Sequence, residues 1–332
     1  MNKRHAKVLG LFTLKLAGTI IFLWWTISRV DDQHALDENL KLALRSPYWV
    51  AAGVSLAFVS LLANALRWYF LLRAQSISVP FSYVMRLMLY GAFFNIASLG
   101  VTAGDAIKIV LLIRRVPNRK VGITMSVMVD HVLGFVSSGV IFLVATWCFG
   151  ITEHLGDKIG MGIFVAATWF KAGGIVGIIL SLFSCSPAML SWGSKRLPAI
   201  TNNRWVVSIS SAIDLYRTGW CYVTLGLLAS FVLSISFYLT FFVALRALDQ
   251  PVEAATIMSV MPIVDVATAL PISISGLGVR ERAFEFLLGK LTGVPTGITV
   301  TASLIGFLFT LFWSLVGGLA VITSRSAGKS TP

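Results

Sequence analysis

Long apolar runs alternate along this chain with short polar connections. A membrane-crossing helix needs about 20 apolar residues, and the runs at 9–27, 49–72, 121–149, 159–183, 220–245 and 297–323 each read as one such helix. Two further segments, 81–113 and 254–291, are longer and interrupted. The later interruption is Pro271-Ile-Ser-Ile-Ser-Gly-Leu-Gly-Val-Arg280-Glu281-Arg282, where an apolar run stops at a proline and two glycines precede three charges. Proline lacks an N–H and glycine loosens the backbone, so the pattern predicts a broken helix. The earlier interruption, Asn95-Ile-Ala-Ser98-Leu-Gly100-Val-Thr102-Ala-Gly104-Asp105-Ala-Ile-Lys108, predicts the same. Irregular backbone at membrane depth must be buried in protein or line a wet cavity.

The polar connection 184–218 holds Trp205, Ile209, Ile213 and Tyr216 at helical spacing, with Ser210, Ser211, Asp214 and Arg217 opposite. This reads as a cytoplasmic amphipathic helix on the membrane surface, or as a plain connector.

Composition narrows the class. The chain has 332 residues, 57% hydrophobic and 12% charged; a soluble protein would carry roughly twice that charge fraction. The runs are continuous rather than alternating, which excludes a β-barrel. The fold class is an all-α polytopic membrane protein, one transmembrane domain over residues 1–332. A net charge of +13, spread over short loops, suits anionic lipid better than nucleic acid. The first run lacks a small-x-small cleavage site and is kept as a helix rather than a signal peptide. Cys148, Cys185 and Cys221 have no metal or redox spacing and read as small core residues without a disulfide.

Loop charge gives an orientation. Lys3, Arg4 and Lys7 precede the first run, and the next loop is acidic at Asp31, Asp32, Asp37 and Glu38. Lys108, Arg114, Arg115, Arg119 and Lys120 follow the break in the first interrupted segment, while Glu153 and Asp157 follow the next run. Basic loops face the cytoplasm. The pattern closes if both termini are cytoplasmic, in an inner membrane, and if each broken segment enters and leaves on one side. That gives six full spans and two re-entrant hairpins dipping in from opposite faces. Eight full spans would put the basic cluster outside.

Short matches support two halves. Leu99-Gly100-Val101 recurs as Leu277-Gly278-Val279, and Ala65-Leu66-Arg67 as Ala244-Leu245-Arg246, at nearly one offset. The halves, about 8–150 and 158–324, each contain three crossings and are therefore inverted. Inverted repeats with broken helices at matching places are a transporter architecture, with the site between them near mid-membrane.

The candidate binding residues are Asn95, Gly104, Asp105, Lys108, Asp130, Asp265, Ser275, Gly276, Gly278, Arg280 and Glu281. Charges at membrane depth mark a functional site by default. A helix N-terminus beside Arg280 would take an anion, and a lipid phosphate is the one at hand. The competing reading makes Asp105–Lys108 and Arg280–Glu281 ion pairs that pin the hairpins. Asp130 and Asp265 bind substrate or pair with a lysine such as Lys15 or Lys171. Arg67, beside Trp68 and Tyr69, reads as an interfacial anchor at a helix end, with a headgroup contact as the lesser option. No nucleotide, metal or hydrolase motif is present, so no cofactor or metal is expected and an enzyme reading ranks last.

Asn64-Ala-Leu-Arg67-Trp68, Gly91-Ala-Phe-Phe-Asn95, Gly104-Asp105-Ala-Ile-Lys108 and the Pro271–Glu281 stretch together resemble the flippase-like membrane family, the transmembrane region of lysylphosphatidylglycerol synthetases. The resemblance covers nearly the whole chain. It implies pseudo-symmetric halves, lipid translocation, and roles for Asp105, Lys108, Arg280 and Glu281. Asp130-His131 stands where the family usually has Asp-Arg, and the first break lacks the proline often found there. With Pro332 at the end of the chain, no soluble aminoacyl-transferase domain is expected. The sequence therefore predicts movement of a lipid with an anionic phosphate headgroup between leaflets. The alternative is an accessory subunit that presents a glycolipid or isoprenoid lipid to a lipid-modifying partner enzyme.

Overall fold

The computed structural model describes residues 33–97, 103–150, 158–184, 214–269 and 273–327. The first apolar run, Lys15, Gly100, Cys185, Pro271 and most of the 184–218 connection lie outside the described residues; of that connection, 214–218 forms a helical turn. Among the described residues there is helix and no strand. The helices are α1 (Gln33–Leu44), α2 (Pro47–Ala74), α3 (Phe81–Ala97), α4 (Ala103–Arg115), α5 (Lys120–Cys148), α6 (Lys158–Ser184), α7 (Trp220–Ala247), α8 (Ala254–Ala269), α9 (Val279–Thr292) and α10 (Thr296–Ala327). Four of them, α2, α5, α7 and α10, are long and apolar enough to cross a membrane. With the shorter apolar helices between them, the chain is an all-α polytopic membrane protein. Large apolar side chains point outward, among them Trp147 at 77% exposure and Tyr48 at 75%, as lipid-facing surfaces do.

Both interrupted segments fold as antiparallel helix pairs. In the first, α3 and α4 approach backbone to backbone: a Cβ on Gly104 would lie 2.2 Å from the Gly91 carbonyl oxygen. Tyr83 Oη donates to the Leu111 carbonyl at 3.3 Å further along the same seam. In the second, a 3-10 turn at Ile274–Gly276 leads into α9. Here Ser275, Gly276 and Gly278 hold φ of 52°, 74° and 81°, the left-handed region where glycine is at ease and serine is not.

The two pairs open at opposite ends of the bundle. One end gathers Gly219 against Ala74, and Gly122 against Gln75 and Ile77. An apolar cluster there joins Leu72, Ile77, Val79, Val84, Leu112 and Ile123 around the mouth of the first pair. The other end gathers Ala43, Leu248, Val252, Ile257, Leu287 and Leu288 around the second. The tips meet between these ends, where Ser275 Oγ donates to the Asn95 carbonyl at 2.9 Å.

The described helices fall into two matching series. α2 and α7 are each 28 residues, α3 and α8 are 17 and 16, α4 and α9 are 13 and 14, and α5 and α10 are 29 and 32. α2 and α7 both end in Leu-Arg-Ala, then turn at a non-glycine residue with φ 55°, Ser76 and Asp249. Each turn is closed alike: Ile77 N–H to the Leu72 carbonyl at 2.9 Å, Gln250 N–H to the Leu245 carbonyl at 3.0 Å. Arg246 thus corresponds to Arg73, not to Arg67 as the short tripeptide match suggested. The cysteine expectation also changes: Cys148 and Cys221 are exposed, not core. Both sit at a helix terminus, where the bundle leaves small side chains uncovered.

Candidate functional site

A cavity of about 460 Å³, with ionisable groups set in a lining more apolar than polar, lies among α2, α5, α6, α7 and α8. Its chemistry comes from Arg67, Asp130, His131, Lys171, Tyr238 and Asp265. So many ionisable groups on apolar helices need mutual compensation, because hydrocarbon offers none.

Arg67 and Asp130 supply it directly. Arg67 Nε lies 2.6 Å from Asp130 Oδ1 and Nη2 lies 2.9 Å from Oδ2, a two-pronged pair buried on both sides. Nη2 also donates to Asn64 Oδ1 at 3.2 Å. Planar forks of this kind fix geometry as well as charge. Gly134 lets the guanidinium approach, since a Cβ there would sit 3.1 Å from Nη1. The expectation that Arg67 anchors at the interface is therefore wrong. Its neighbour Trp68 is fully buried and donates to Ser126 Oγ at 3.0 Å, so this tryptophan belongs to the core, while the half-buried Tyr69 accepts from Arg73.

On the opposite wall, Lys171 Nζ donates to Ser138 Oγ at 3.0 Å and lies 4.8 Å from the centre of the Phe135 ring. Ser138 Oγ is 3.0 Å from Tyr238 Oη, which in turn lies 2.8 Å from Asp265 Oδ2. Asp265 makes no ion pair among the described residues; its contact is with the tyrosine hydroxyl.

The first hairpin touches the cavity through one histidine. Asp105 Oδ1 is 2.6 Å from Lys108 Nζ, and Asp105 Oδ2 is 2.9 Å from His131 Nε2. Lys108 is buried, with Nζ 5.3 Å from the centre of the Trp68 ring. Asn95 Oδ1 accepts the Gly104 N–H at 2.8 Å and so closes the hairpin over its own break.

The second hairpin spends most of its polar groups within the protein, while Ser273 Oγ and Arg280 Nη1 are buried without a hydrogen-bond partner among the described residues. Glu281, fully buried, accepts the Gly278 N–H and caps the start of α9. An anion at that helix N-terminus would have to displace the protein's own carboxylate. Arg280 Nη2 donates to the Ser275 carbonyl at 2.7 Å, its guanidinium carbon lies 4.7 Å from the Phe307 ring centre, and Nη1 stands 3.9 Å from Glu281. Gly276 packs on Thr268, where a Cβ would come within 2.8 Å.

The candidate residues thus separate by place. Asp130 and Asp265 line the cavity. Asp105 and Lys108 reach it through His131. Asn95, Gly104, Ser275, Gly276, Gly278, Arg280 and Glu281 hold the hairpins in shape and in contact. Sequence reasoning did not assign Arg67, His131, Ser138 or Tyr238 to the site, and offered Lys171 only as a pairing partner. Arg67 carried a usable signal, since it and Asp130 both lie about two to three turns from the same end of the bundle; Tyr238 carried none in an aromatic-rich run. Among the described residues, no group of His, Cys, Asp and Glu is placed to hold a metal ion.

A family model for the lysylphosphatidylglycerol synthase TM region matches residues 12–318. A UPF0104 membrane protein of Pyrococcus horikoshii is 24% identical over 138 residues, covering 41% of this chain and 38% of that relative. No solved structure matches this chain. On the extent of the family match, the chain belongs to the lysylphosphatidylglycerol synthase TM-region family.

Proposed function

We propose that this protein carries the headgroup of a phospholipid between the two leaflets, and that the cavity is where the headgroup sits in transit. Moving an uncompensated charge through hydrocarbon costs on the order of tens of kcal/mol by solvation estimates. The observation that carries the reading is a cavity of about 460 Å³ lined by fixed charges of both signs, with the tips of two opposed hairpins nearby. Lys171 has one hydrogen-bond partner among the described residues, Ser138, and three ammonium donors. The remaining donors suit a phosphate. Arg67 is already satisfied by Asp130 and Asn64 and supplies field rather than a free hand.

In this reading the matching helix series are inverted repeats that rock against each other. The end carrying Arg114, Arg115, Arg119 and Lys120 faces the cytoplasm. The site differs from the one expected at the α9 N-terminus, because Glu281 fills that position.

The test uses purified protein in liposomes with headgroup-labelled phospholipid. Wild type should move label between leaflets, and Lys171→Met should slow it by about tenfold or more, equivalent to about 1.4 kcal/mol of barrier. Equal rates with wild type, Lys171→Met and empty liposomes would overturn the proposal. Movement that starts only after a lipid-modifying enzyme is added would favour the accessory role instead.

A further inference from the structure

The wall opposite Arg67 holds a hydrogen-bonded chain whose direction is set by its ends. The ammonium of Lys171 donates only, and the carboxylate of Asp265 accepts only. Between them, Ser138 Oγ lies 3.0 Å from Lys171 Nζ and 3.0 Å from Tyr238 Oη, and Tyr238 Oη lies 2.8 Å from Asp265 Oδ2. Tyr238 has a single hydroxyl proton, and it satisfies the carboxylate. In that charged form Ser138 accepts from the lysine and its own proton points to the tyrosine oxygen; in the neutral form the chain reverses and Tyr238 donates to Ser138. Four helices, α6, α5, α7 and α8, contribute one residue each. Lys171, Ser138 and Tyr238 are buried at 2%, 6% and 1% exposure, while Asp265 faces the cavity.

We propose that Lys171, Ser138, Tyr238 and Asp265 are a proton relay that switches the cavity lining between a charged and a neutral form. In the forward step the Tyr238 hydroxyl proton passes to Asp265 Oδ2. The Ser138 hydroxyl proton passes to Tyr238 Oη, and one proton from Lys171 Nζ passes to Ser138 Oγ. Both hydroxyls are restored, Lys171 becomes a neutral amine and Asp265 a carboxylic acid. No proton enters or leaves, so no co-reactant is needed.

The two forms answer to what the cavity holds. The lysine and the aspartate are kept apart by two hydroxyls, so their attraction is weaker than that of a contact pair, while both bear the desolvation of a low-dielectric interior. An empty, closed cavity favours the neutral form. A phosphate beside Lys171, or a cation beside Asp265, favours the charged form and draws the proton back. The other charges acting on this carboxylate are compatible with such a switch. Besides Lys171, Asp265 feels Arg280, whose own charge is met by Glu281 at 3.9 Å. Across the cavity Arg67 is matched by Asp130, and His131 is bonded to Asp105. The use of the switch, letting an empty carrier return without exposed charge, rests on the proposed lipid movement; the relay itself does not.

Infrared spectroscopy of the purified protein tests it without lipid movement. Wild type at neutral pH should show a carboxylic-acid C=O band that disappears in Asp265→Asn. Its amplitude should stay flat across the neutral range, because the proton is shared internally. Tyr238→Phe and Ser138→Ala cut the chain, so after a temperature jump the band should relax slowly and at a rate set by the buffer, where wild type relaxes fast in any buffer; Ser138→Thr keeps the hydroxyl and should restore the fast phase. Thermal unfolding of each variant identifies any that fail to fold, and the two cuts serve as independent checks on each other. Absence of an Asp265 band in wild type would overturn the relay, as would one relaxation rate shared by wild type and both cut variants. A negative spectrum leaves lipid translocation standing, and a failed liposome assay leaves the relay standing.

Discussion

Ser275 Oγ donates a hydrogen bond to the backbone carbonyl of Asn95 at 2.9 Å, joining two residues 180 positions apart in the chain. Each lies at the tip of a different helical hairpin, and the hairpins open at opposite ends of the bundle. Ser275 makes this contact from a left-handed backbone at φ 52°. Two effects therefore oppose each other at one residue. Ser275→Ala keeps the strained backbone and loses the bond, and should cost about 0.5–1.5 kcal/mol. Ser275→Gly loses the same bond but relieves the left-handed penalty of about 1–2 kcal/mol for a residue with a Cβ. Thermal unfolding should rank Gly above Ala; the reverse order would mean that the backbone there is not under strain.

The Arg67–Asp130 pair makes a separate prediction. Removing one partner leaves a buried charge alone, so Arg67→Met or Asp130→Leu should each destabilise by about 3–5 kcal/mol. The double variant should recover most of that loss, since both charges are gone. Denaturant unfolding in detergent measures the cycle. Additive losses in the double variant would show that the pair is not coupled.

The contact of α3 with α4 depends on Gly104 having no side chain. A Cβ there would lie 2.2 Å from the Gly91 carbonyl, and backbone has nowhere to move. Gly104→Ala should force the first hairpin apart, with a large loss of folded protein on size-exclusion chromatography. Gly173 provides the contrast, because nothing lies within 4 Å of a Cβ there. Gly173→Ala should be neutral or stabilising by up to about 1 kcal/mol, the helix preference of alanine over glycine.

Topology can be read by labelling. Asn118 and Asp249 are both exposed and lie at opposite ends of the bundle. In a background lacking Cys148, Cys185 and Cys221, a cysteine replacing Asn118 should react only from the cytoplasmic side, and one replacing Asp249 only from the other. Labelling of both from one side would overturn the two-sided hairpin arrangement.

These cases show what the sequence could reveal. The broken helices were legible because proline, glycine and charge inside an apolar run have no other comfortable explanation; α3 ends at Ala97 and α8 at Ala269, at the edges of the breaks the pattern marked. Asp130 and Asp265 were legible for a similar reason, as lone carboxylates on apolar helices. The partner of Asp130 was not. Arg67 stands 63 residues away, and a tryptophan and a tyrosine beside an arginine near a helix end imitate an interfacial belt. Only packing decides whether such a group looks outward or inward, and here Trp68 and Arg67 both look inward. The pattern reads Glu281 either as a binding group or as the ion-pair partner of Arg280; that it also caps its helix escapes notice for a local reason. Its position three residues after Gly278 lets it cap its own helix, so the same stretch that offered free N–H groups also supplied the carboxylate that takes one.

Gly91 and Gly104 clamp the first wedge shut from within, whereas among the described residues a serine hydroxyl ties the points of the two wedges to each other. A lipid bilayer insulates with a hydrocarbon slab about 30 Å thick. Under the proposed lipid movement, the corresponding septum inside this protein would narrow to the place where two points touch, and parting them would mean breaking that hydrogen bond rather than crossing a depth of oil.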